Sequence, residues 1–135
     1  NKNYTYVVEL MKEWKKNNGN KEKKCKKSNL GGTQRLGTYD AEIKKDTLAY
    51  KLYGSDRIKE RHRHRYEVDI KYKDELEKNG MIMSGLSPDG KLPEIIELKD
   101  HVFFIASQFH PEFNSNPFKP NPLFKGFIEE ALNQK

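Results

Sequence analysis

One stretch of the chain, residues 102–112, reads VFFIASQFHPE, an apolar run followed at once by a His-Pro-Glu triplet. A short continuous apolar run is typical of a strand in the core of a sheet, so we predict a buried strand over residues 102–109. Pro111 disfavours the helical region for the residue before it and favours extended backbone at His110. Residues two apart return to the same face of an extended chain, which predicts contact between His110 and Glu112.

His110 and Glu112 have the chemistry of two members of a catalytic triad. A carboxylate that binds one imidazole nitrogen fixes the tautomer and leaves the other nitrogen to take a proton from a nucleophile. That nucleophile would have to come from another part of the protein. The alternative interpretation is a surface histidine after a strand, with Glu112 at the start of a polar loop.

The composition is that of one domain with a thin core. The chain has 135 residues, of which 34% are apolar and 34% are charged, and this length is usual for a single domain. No apolar run is long enough to cross a membrane. Residues 1–4 lack the apolar segment of a signal peptide, although the chain could begin in the middle of a longer protein. Its one cysteine, Cys25, excludes an internal disulfide and fits a reducing compartment.

The net charge of +6 is concentrated in one segment. Residues 12–27 contain eight lysines and two glutamates, which accounts for the whole excess. A nucleic-acid-binding surface normally spreads its positive charge over one face of the fold. Here the lysines lie in a stretch that is also rich in Asn and contains Gly, so we predict a solvated Lys/Asn-rich loop over residues 15–29.

Turn and capping signals divide the rest of the chain into short helices and strands. The predicted helices cover residues 48–53, 73–79 and 122–132. The predicted strands cover residues 39–44, 58–70, 81–86 and 92–98, with a hairpin turn at 87–90. Residues 4–14 are ambiguous, because Tyr4, Tyr6 and Val8 alternate as in a strand, while Leu10, Met11 and Trp14 have helical spacing. This mixture indicates the α/β or α+β class.

The run ERHRHRYEV at residues 60–68 alternates Arg with His. On a strand, Arg61, Arg63 and Arg65 share one face, while the other face carries His62, His64 and Tyr66. A row of guanidinium groups suits a carboxylate or a phosphate, because each can pair with such a group through two hydrogen bonds. The two histidines could bind a metal, but no third ligand is placed for them. The alternative is a charged strand near a sheet edge.

Two other features give weaker signals. The GGTQRLG loop at residues 31–37 could cradle a phosphate with backbone N–H groups, but it matches neither a Walker loop nor a dinucleotide fingerprint. Cys25 lies among four lysines, which favour its thiolate. A nucleophilic cysteine also needs a rigid turn and an oxyanion hole, so we interpret Cys25 as an incidental exposed thiol.

Six motifs of this chain together resemble the CTP synthase family. They occur in that family's order and nearly at its spacings, at residues 31–37, 60–68, 84–90, 94–97, 108–113 and 122–127. The QFHPE pattern alone indicates a class I glutamine amidotransferase. The RHRHRYEV run and the Gly-Gly-Thr loop narrow the resemblance to CTP synthase, and it extends from about Trp14 to the C-terminus.

The resemblance implies an α/β fold in which a mixed central sheet is flanked by helices. Residues 1–135 would be the C-terminal portion of a glutaminase domain. His110 would be the general base of a Cys-His-Glu triad and Glu112 its orienting partner. Arg65 and the Tyr66 backbone would hold the substrate glutamine, and we expect His110 to face a cleft shared with Arg65.

The resemblance also implies what the full enzyme does. Ammonia from glutamine would pass to a synthetase domain, where ATP with magnesium phosphorylates UTP and ammonia displaces the phosphate to give CTP. GTP would stimulate the glutaminase step. The expected enzyme is a cytoplasmic homotetramer. For this chain itself we expect no cofactor, metal, membrane or nucleic-acid binding.

The chain also departs from the family pattern. The family nucleophile lies in a Gly-x-Cys-x-Gly-x-Gln turn, which does not occur in this sequence; in the family it precedes the Gly-Gly-Thr loop. We therefore expect the isolated chain to be inactive and to need the upstream half of the domain for stability. Gln34 replaces a usual Met, and Pro93 stands where an apolar residue with an N–H is usual, which suggests a strand start. The alternatives are a catalytically dead glutaminase-like scaffold and a basic nucleic-acid-binding module.

Overall fold

The structure is a computed structural model that describes residues 5–10, 13–15, 21–23 and 34–135. Cys25 and the first three residues of the glycine-rich loop lie outside these ranges. The strands are β1 (Val8–Leu10), β2 (Glu13–Lys15), β3 (Lys21–Lys23), β4 (Arg35–Ile43), β5 (Arg57–His64), β6 (Tyr66–Val68), β7 (Met81–Leu86), β8 (Pro93–Leu98) and β9 (Ile105–Ser107). The helices are α1 (Leu48–Tyr53), α2 (Lys73–Lys78) and α3 (Pro122–Asn133), with 3₁₀ turns at Ile70–Tyr72 and Pro111–Asn114. None of the described helices is long and apolar enough to span a bilayer.

Five strands form one sheet in the order β5-β4-β7-β8-β9, and every pairing in it is antiparallel. Strand β1 also pairs with β6, and β2 with β3, again antiparallel. The resemblance implied a mixed sheet, which contains parallel pairs as well. Within the described ranges no such pair occurs.

The core lies between this sheet and the helices α1 and α3. Strands β4 and β5 bury alternate residues, as a sheet with one covered face requires. The buried apolar side chains are Ala41, Ile43, Ala49, Ile58, Ile95, Phe109 and Leu123. Because Phe109 belongs to this core, the backbone that leads into the His-Pro-Glu triplet is anchored.

Helix α1 begins and ends where the sequence predicts. The Thr47 hydroxyl accepts a hydrogen bond from the Tyr50 N–H, and Gly54 adopts the left-handed conformation at φ 64° after the last turn. Helix α3 likewise starts at Pro122, behind the Asn121 cap. The hairpin of β7 and β8 also agrees with the prediction, and Pro93 is the first residue of β8.

The prediction of one long strand over residues 58–70 is wrong, because the strand is interrupted at Arg65. We call this interruption the break between β5 and β6. Strand β4 begins at Arg35, which pairs with His64, and among the described residues β5 has no partner in the main sheet beyond His64. After the break, β6 pairs with β1 instead. The one-residue interruption shifts the side-chain alternation, so Glu67 is buried while Tyr66 is 56% exposed.

The buried strand predicted over residues 102–109 is also too long. Only Ile105–Ser107 pairs with β8, in a register that starts at Glu97 opposite Ile105. The preceding residues are the connection between the two strands, and Val102 is 65% exposed. Their apolar character serves a different contact, because the Phe103 ring packs edge-on against Phe127 of α3 at 5.9 Å between centroids.

The Lys/Asn-rich loop predicted over residues 15–29 contains regular structure. Strands β2 and β3 form an antiparallel pair with Trp14 opposite Glu22. An Asn-Gly dipeptide between two extended segments is a hairpin signal, and the sequence has one at residues 18–19. Residues 8–10 and 13–15 are both strands, so of the two interpretations left open for residues 4–14 the structure supports the strand at these described residues.

Candidate functional site

The structure brings His110 and Glu112 into direct contact. His110 has extended backbone, at φ −102° and ψ 92°, as expected before proline. Glu112 is not on an extended chain, since Pro111 opens the 3₁₀ turn Pro111–Asn114. The turn nevertheless brings the carboxylate back to the imidazole, and 2.7 Å separates His110 Nδ1 from Glu112 Oε1.

The surroundings of His110 hold its ring in one orientation. Its backbone N–H donates to the Arg61 carbonyl on β5 at 2.8 Å, and its ring stacks on Phe113 at 5.1 Å. The hydrogen bond from His110 lowers the pKa of Glu112 below its ordinary value, so the carboxylate is charged and can only accept. His110 Nδ1 therefore carries the hydrogen, and Nε2 is the nitrogen that can accept a proton.

Arg65 and Tyr66 line a cavity of ≈ 570 Å³ at the break between β5 and β6. A cavity of this size suits a small-molecule ligand. Residues of four other segments complete its wall; among them are Val8, Gln34, Glu94, Ile95, Ser107 and Gln108. His110 is not a lining residue of this cavity, and it follows Gln108 by two positions. The cleft that we expected His110 and Arg65 to share is therefore not seen as one cavity in the described part of the chain.

The alternation of Arg and His on β5 agrees with the prediction as far as His64. Arg61 and Arg63 are exposed, while His62 is buried and His64 half-buried. Tyr66 does not continue the histidine face, because the break at Arg65 turns it to the surface. The run therefore presents Arg side chains outward and turns His62 to the buried face, where its ring contacts Tyr39 and Phe109.

The two histidines bind each other. His64 Nδ1 lies 3.1 Å from the Tyr66 carbonyl, and since a carbonyl only accepts, that nitrogen carries the hydrogen. His64 Nε2 then accepts from His62 Nδ1 at 2.8 Å. Burial, together with the charge of Arg35, lowers the pKa of His62 to about 2 and that of His64 to about 4. Both are neutral near pH 7, and in the described residues no group of three or more metal-ligating side chains is found.

A buried cluster of ionisable side chains adjoins the cavity through Glu94, which lines its wall. Arg35 on β4 binds Glu94 at 2.6 Å and Glu67 at 3.5 Å. All three side chains are almost fully buried. Burial raises the pKa of Glu67 to about 7 and also raises that of Glu94. The charge of Arg35 acts in the opposite direction on both carboxyl groups, but its effect is smaller than that of burial. One guanidinium thus faces two carboxyl groups that both resist ionisation.

Sequence reasoning placed Arg35 in a loop and gave the two glutamates no role. One signal was available, because Glu94 stands inside the apolar strand β8, where a carboxylate is costly unless it is paired. Nothing in the sequence identified Arg35 as the partner, since the two residues are 59 positions apart.

Comparison with known proteins identifies the family. The model of the glutamine amidotransferase class-I family matches residues 8–130. The chain is 59% identical over 129 residues to a CTP synthase of Pelagibacter ubique and 55% identical over 128 residues to one of Agrobacterium fabrum. These matches cover 96% and 95% of this chain but only 24% and 23% of those proteins, so the chain spans about a quarter of their length.

A solved structure agrees with these relatives. The glutaminase domain of Trypanosoma brucei CTPS, with bound acivicin, superposes with a TM-score of 0.77 at 34% identity, over 94% of this chain and 46% of that one. The fold expected from the resemblance, that of a class I glutamine amidotransferase, is confirmed. The chain belongs to the class I glutamine amidotransferase family, and it is similar to part of the glutaminase domain of CTP synthase.

Proposed function

We propose that this chain supplies the general base and its orienting carboxylate to the glutaminase of a CTP synthase. The contact between His110 Nδ1 and Glu112 Oε1, at 2.7 Å, carries this proposal. It gives the imidazole the tautomer and orientation that a Cys-His-Glu triad needs. The thiol nucleophile would come from a segment of the protein that precedes these residues.

The proposed reaction converts glutamine and water into glutamate and ammonia. His110 Nε2 takes the proton of the thiol, and the thiolate attacks the side-chain amide carbon of glutamine. The imidazolium returns that proton to the departing nitrogen, which leaves as ammonia. The acyl group remains on the sulfur as a thioester. His110 then takes a proton from water as the water oxygen attacks the thioester. It gives that proton to the departing sulfur, so that glutamate and the thiol are released. Glu112 stabilises the imidazolium in both steps.

Arg65 and Tyr66 are proposed to hold the substrate. A guanidinium pairs with a carboxylate through two parallel hydrogen bonds, which fixes position as well as charge. Arg65 lines the cavity at the β5–β6 break and can present that group to the α-carboxylate of glutamine. Tyr66 lines the same cavity, and its backbone is proposed to hold glutamine beside Arg65.

The full protein is proposed to use the ammonia for the conversion of UTP to CTP. ATP with magnesium would activate UTP, and GTP would stimulate the glutaminase; these ligands are proposed to bind outside this chain. The upstream half of the glutaminase domain and a synthetase domain are its proposed partners, in a cytoplasmic homotetramer. The 135-residue chain alone is proposed to be inactive.

The proposal can be tested in a chimera. The segment of the Pelagibacter ubique CTP synthase that this chain matches, 24% of that protein, is replaced by this chain. CTP formation from UTP and ATP is then followed with glutamine or with added ammonia as the nitrogen source. We expect His110→Ala to lower the glutamine-dependent rate at least about a hundredfold. The ammonia-dependent rate should not change, because added ammonia bypasses the glutaminase.

Glu112→Gln keeps the size of the side chain but removes its charge, and we expect an intermediate loss of the glutamine-dependent rate. A chimera that forms CTP from ammonia but never from glutamine would instead show a catalytically dead scaffold. Equal glutamine-dependent rates with and without His110→Ala would overturn the role of His110.

A further inference from the structure

The carboxylate of Glu67 meets two residues that bind the same peptide carbonyl. Gln108 Nε2 donates to the Tyr66 carbonyl at 3.2 Å and also to Glu67 Oε2 at 3.3 Å. His64 Nδ1 lies 3.1 Å from that carbonyl and 3.4 Å from Glu67 Oε1. Two groups thus bind the Tyr66 carbonyl, and each of them also lies within 3.4 Å of the Glu67 carboxyl group.

The Glu67 side chain is itself held by Arg35. It is 4% exposed, and Arg35 Nη1 lies 3.5 Å from its Oε1. Arg35 is in turn held by Glu94 at 2.6 Å and lies over the Tyr39 ring at 4.4 Å. The carboxylate that faces the Tyr66 peptide therefore belongs to a rigid buried network.

Gln108 connects this network to the segment that carries the general base. Its backbone N–H donates to the Glu94 carbonyl at 2.9 Å, and the His110 N–H donates to the Arg61 carbonyl at 2.8 Å. The residue between them, Phe109, is buried in the core. Gln108 thus contacts the wall of the cavity with its side chain, while its backbone leads into His110.

We propose that Glu67 and Gln108 are positioning residues for the glutaminase site. Their hydrogen bond holds the Arg65–Tyr66 break, where glutamine is proposed to bind, at a fixed distance from the segment that presents His110. Neither residue needs to touch the substrate. The inference rests on the proposed function, because it takes the cavity at this break as the glutamine pocket.

The chimera with the Pelagibacter ubique CTP synthase can test this positioning role. Glu67→Gln and Gln108→Met keep side-chain volume but remove the charge and the donor, respectively. Assayed at pH 8, above the pKa of about 7 that burial gives Glu67, each variant should raise the KM for glutamine about tenfold, the effect of losing a hydrogen bond to a charged group. We expect kcat to change less than about threefold. The double variant should raise KM by no more than either single variant, since both break one connection.

Glu97→Gln is the matched control, because Glu97 is equally buried but caps helix α1 away from the cavity. It should leave KM unchanged. An unchanged KM in both Glu67→Gln and Gln108→Met, or a double variant whose effect is the product of the two, would overturn the inference alone. An unsubstituted chimera that uses ammonia but not glutamine would overturn the proposed function, and this inference with it.

Discussion

Glu97 on β8 accepts a hydrogen bond from the Ala49 N–H at 3.0 Å, and its second oxygen accepts one from the neighbouring Leu48 N–H. A side chain of the sheet thereby satisfies two of the N–H groups that open helix α1. A helix of six residues has little stability of its own. The orientation of α1 on the sheet therefore depends on this buried carboxylate.

We expect Glu97→Ala to destabilise the protein by about 2 kcal/mol, because it leaves two buried N–H groups unpaired. Glu42→Ala on β4 is a suitable control, since Glu42 is exposed and should change stability by less than about 0.5 kcal/mol. Thermal unfolding of the chimera measures both. Equal midpoints for the two variants would contradict the capping role.

Helix α3 packs against Leu52 of α1 at Gly126. A Cβ at this position would clash with the Leu52 side chain. We therefore expect Gly126→Ala to destabilise the protein by about 1–3 kcal/mol through overpacking. Lys125→Ala, one residue earlier on the exposed side of the helix, should be nearly neutral.

The clash can be tested from its other partner. Leu52→Ala makes room for a methyl group at position 126, so the double variant should be more stable than the sum of the single effects predicts. Unfolding midpoints of the four proteins give the coupling. Strictly additive effects would show that the two helices separate instead of clashing.

The sequence predicts elements well where a local signal defines them. Thr47 and Gly54 cap α1 with their own side chain and backbone, so its limits can be read from neighbours in the chain. The contact of His110 with Glu112 is also local, because Pro111 fixes the backbone between them. The error in that prediction was limited to the turn, which is 3₁₀ and not extended.

Features that depend on distant residues could not be predicted in the same way. The end of β5 is set by the start of its partner β4 at Arg35, and the extent of β9 is set by its register on β8. The network of Arg35, Glu67 and Glu94 joins three strands, and its members have no common motif. Apolar runs and charge alternation predict where strands and helices lie in the sequence, but they do not predict which of these elements contact each other.

We expect that lysine cannot replace arginine at position 65. Arg65→Lys keeps the charge but loses the planar fork that grips a carboxylate. We expect it to raise the KM for glutamine by about tenfold or more in the chimera. Arg57, at the opposite end of β5, pairs with Asp40 on the surface. The control substitution Arg57→Lys should therefore leave the KM for glutamine unchanged. Equal KM values for the two variants would remove Arg65 from the glutamine site.

The buried cluster also determines how stability varies with pH. Burial raises the pKa of Glu67 from an ordinary value of 4.5 to about 7. The folded state therefore holds a proton that the unfolded state has lost in this range, and this contribution to stability is lost as pH rises from about 4.5 to 7. His62 and His64, with lowered pKa values, act in the opposite direction, since their contribution is lost as pH falls below 6.5. The total slope is thus a difference of opposing contributions.

Comparison with Glu67→Gln isolates the part that belongs to Glu67. The variant cannot ionise and leaves Arg35 paired with Glu94 alone, so its stability relative to the unsubstituted protein should rise with pH. We expect a relative gain of about 2–3 kcal/mol between pH 4.5 and 7, measured by chemical unfolding at a series of pH values. A constant difference across this range would mean that Glu67 ionises normally in the folded protein.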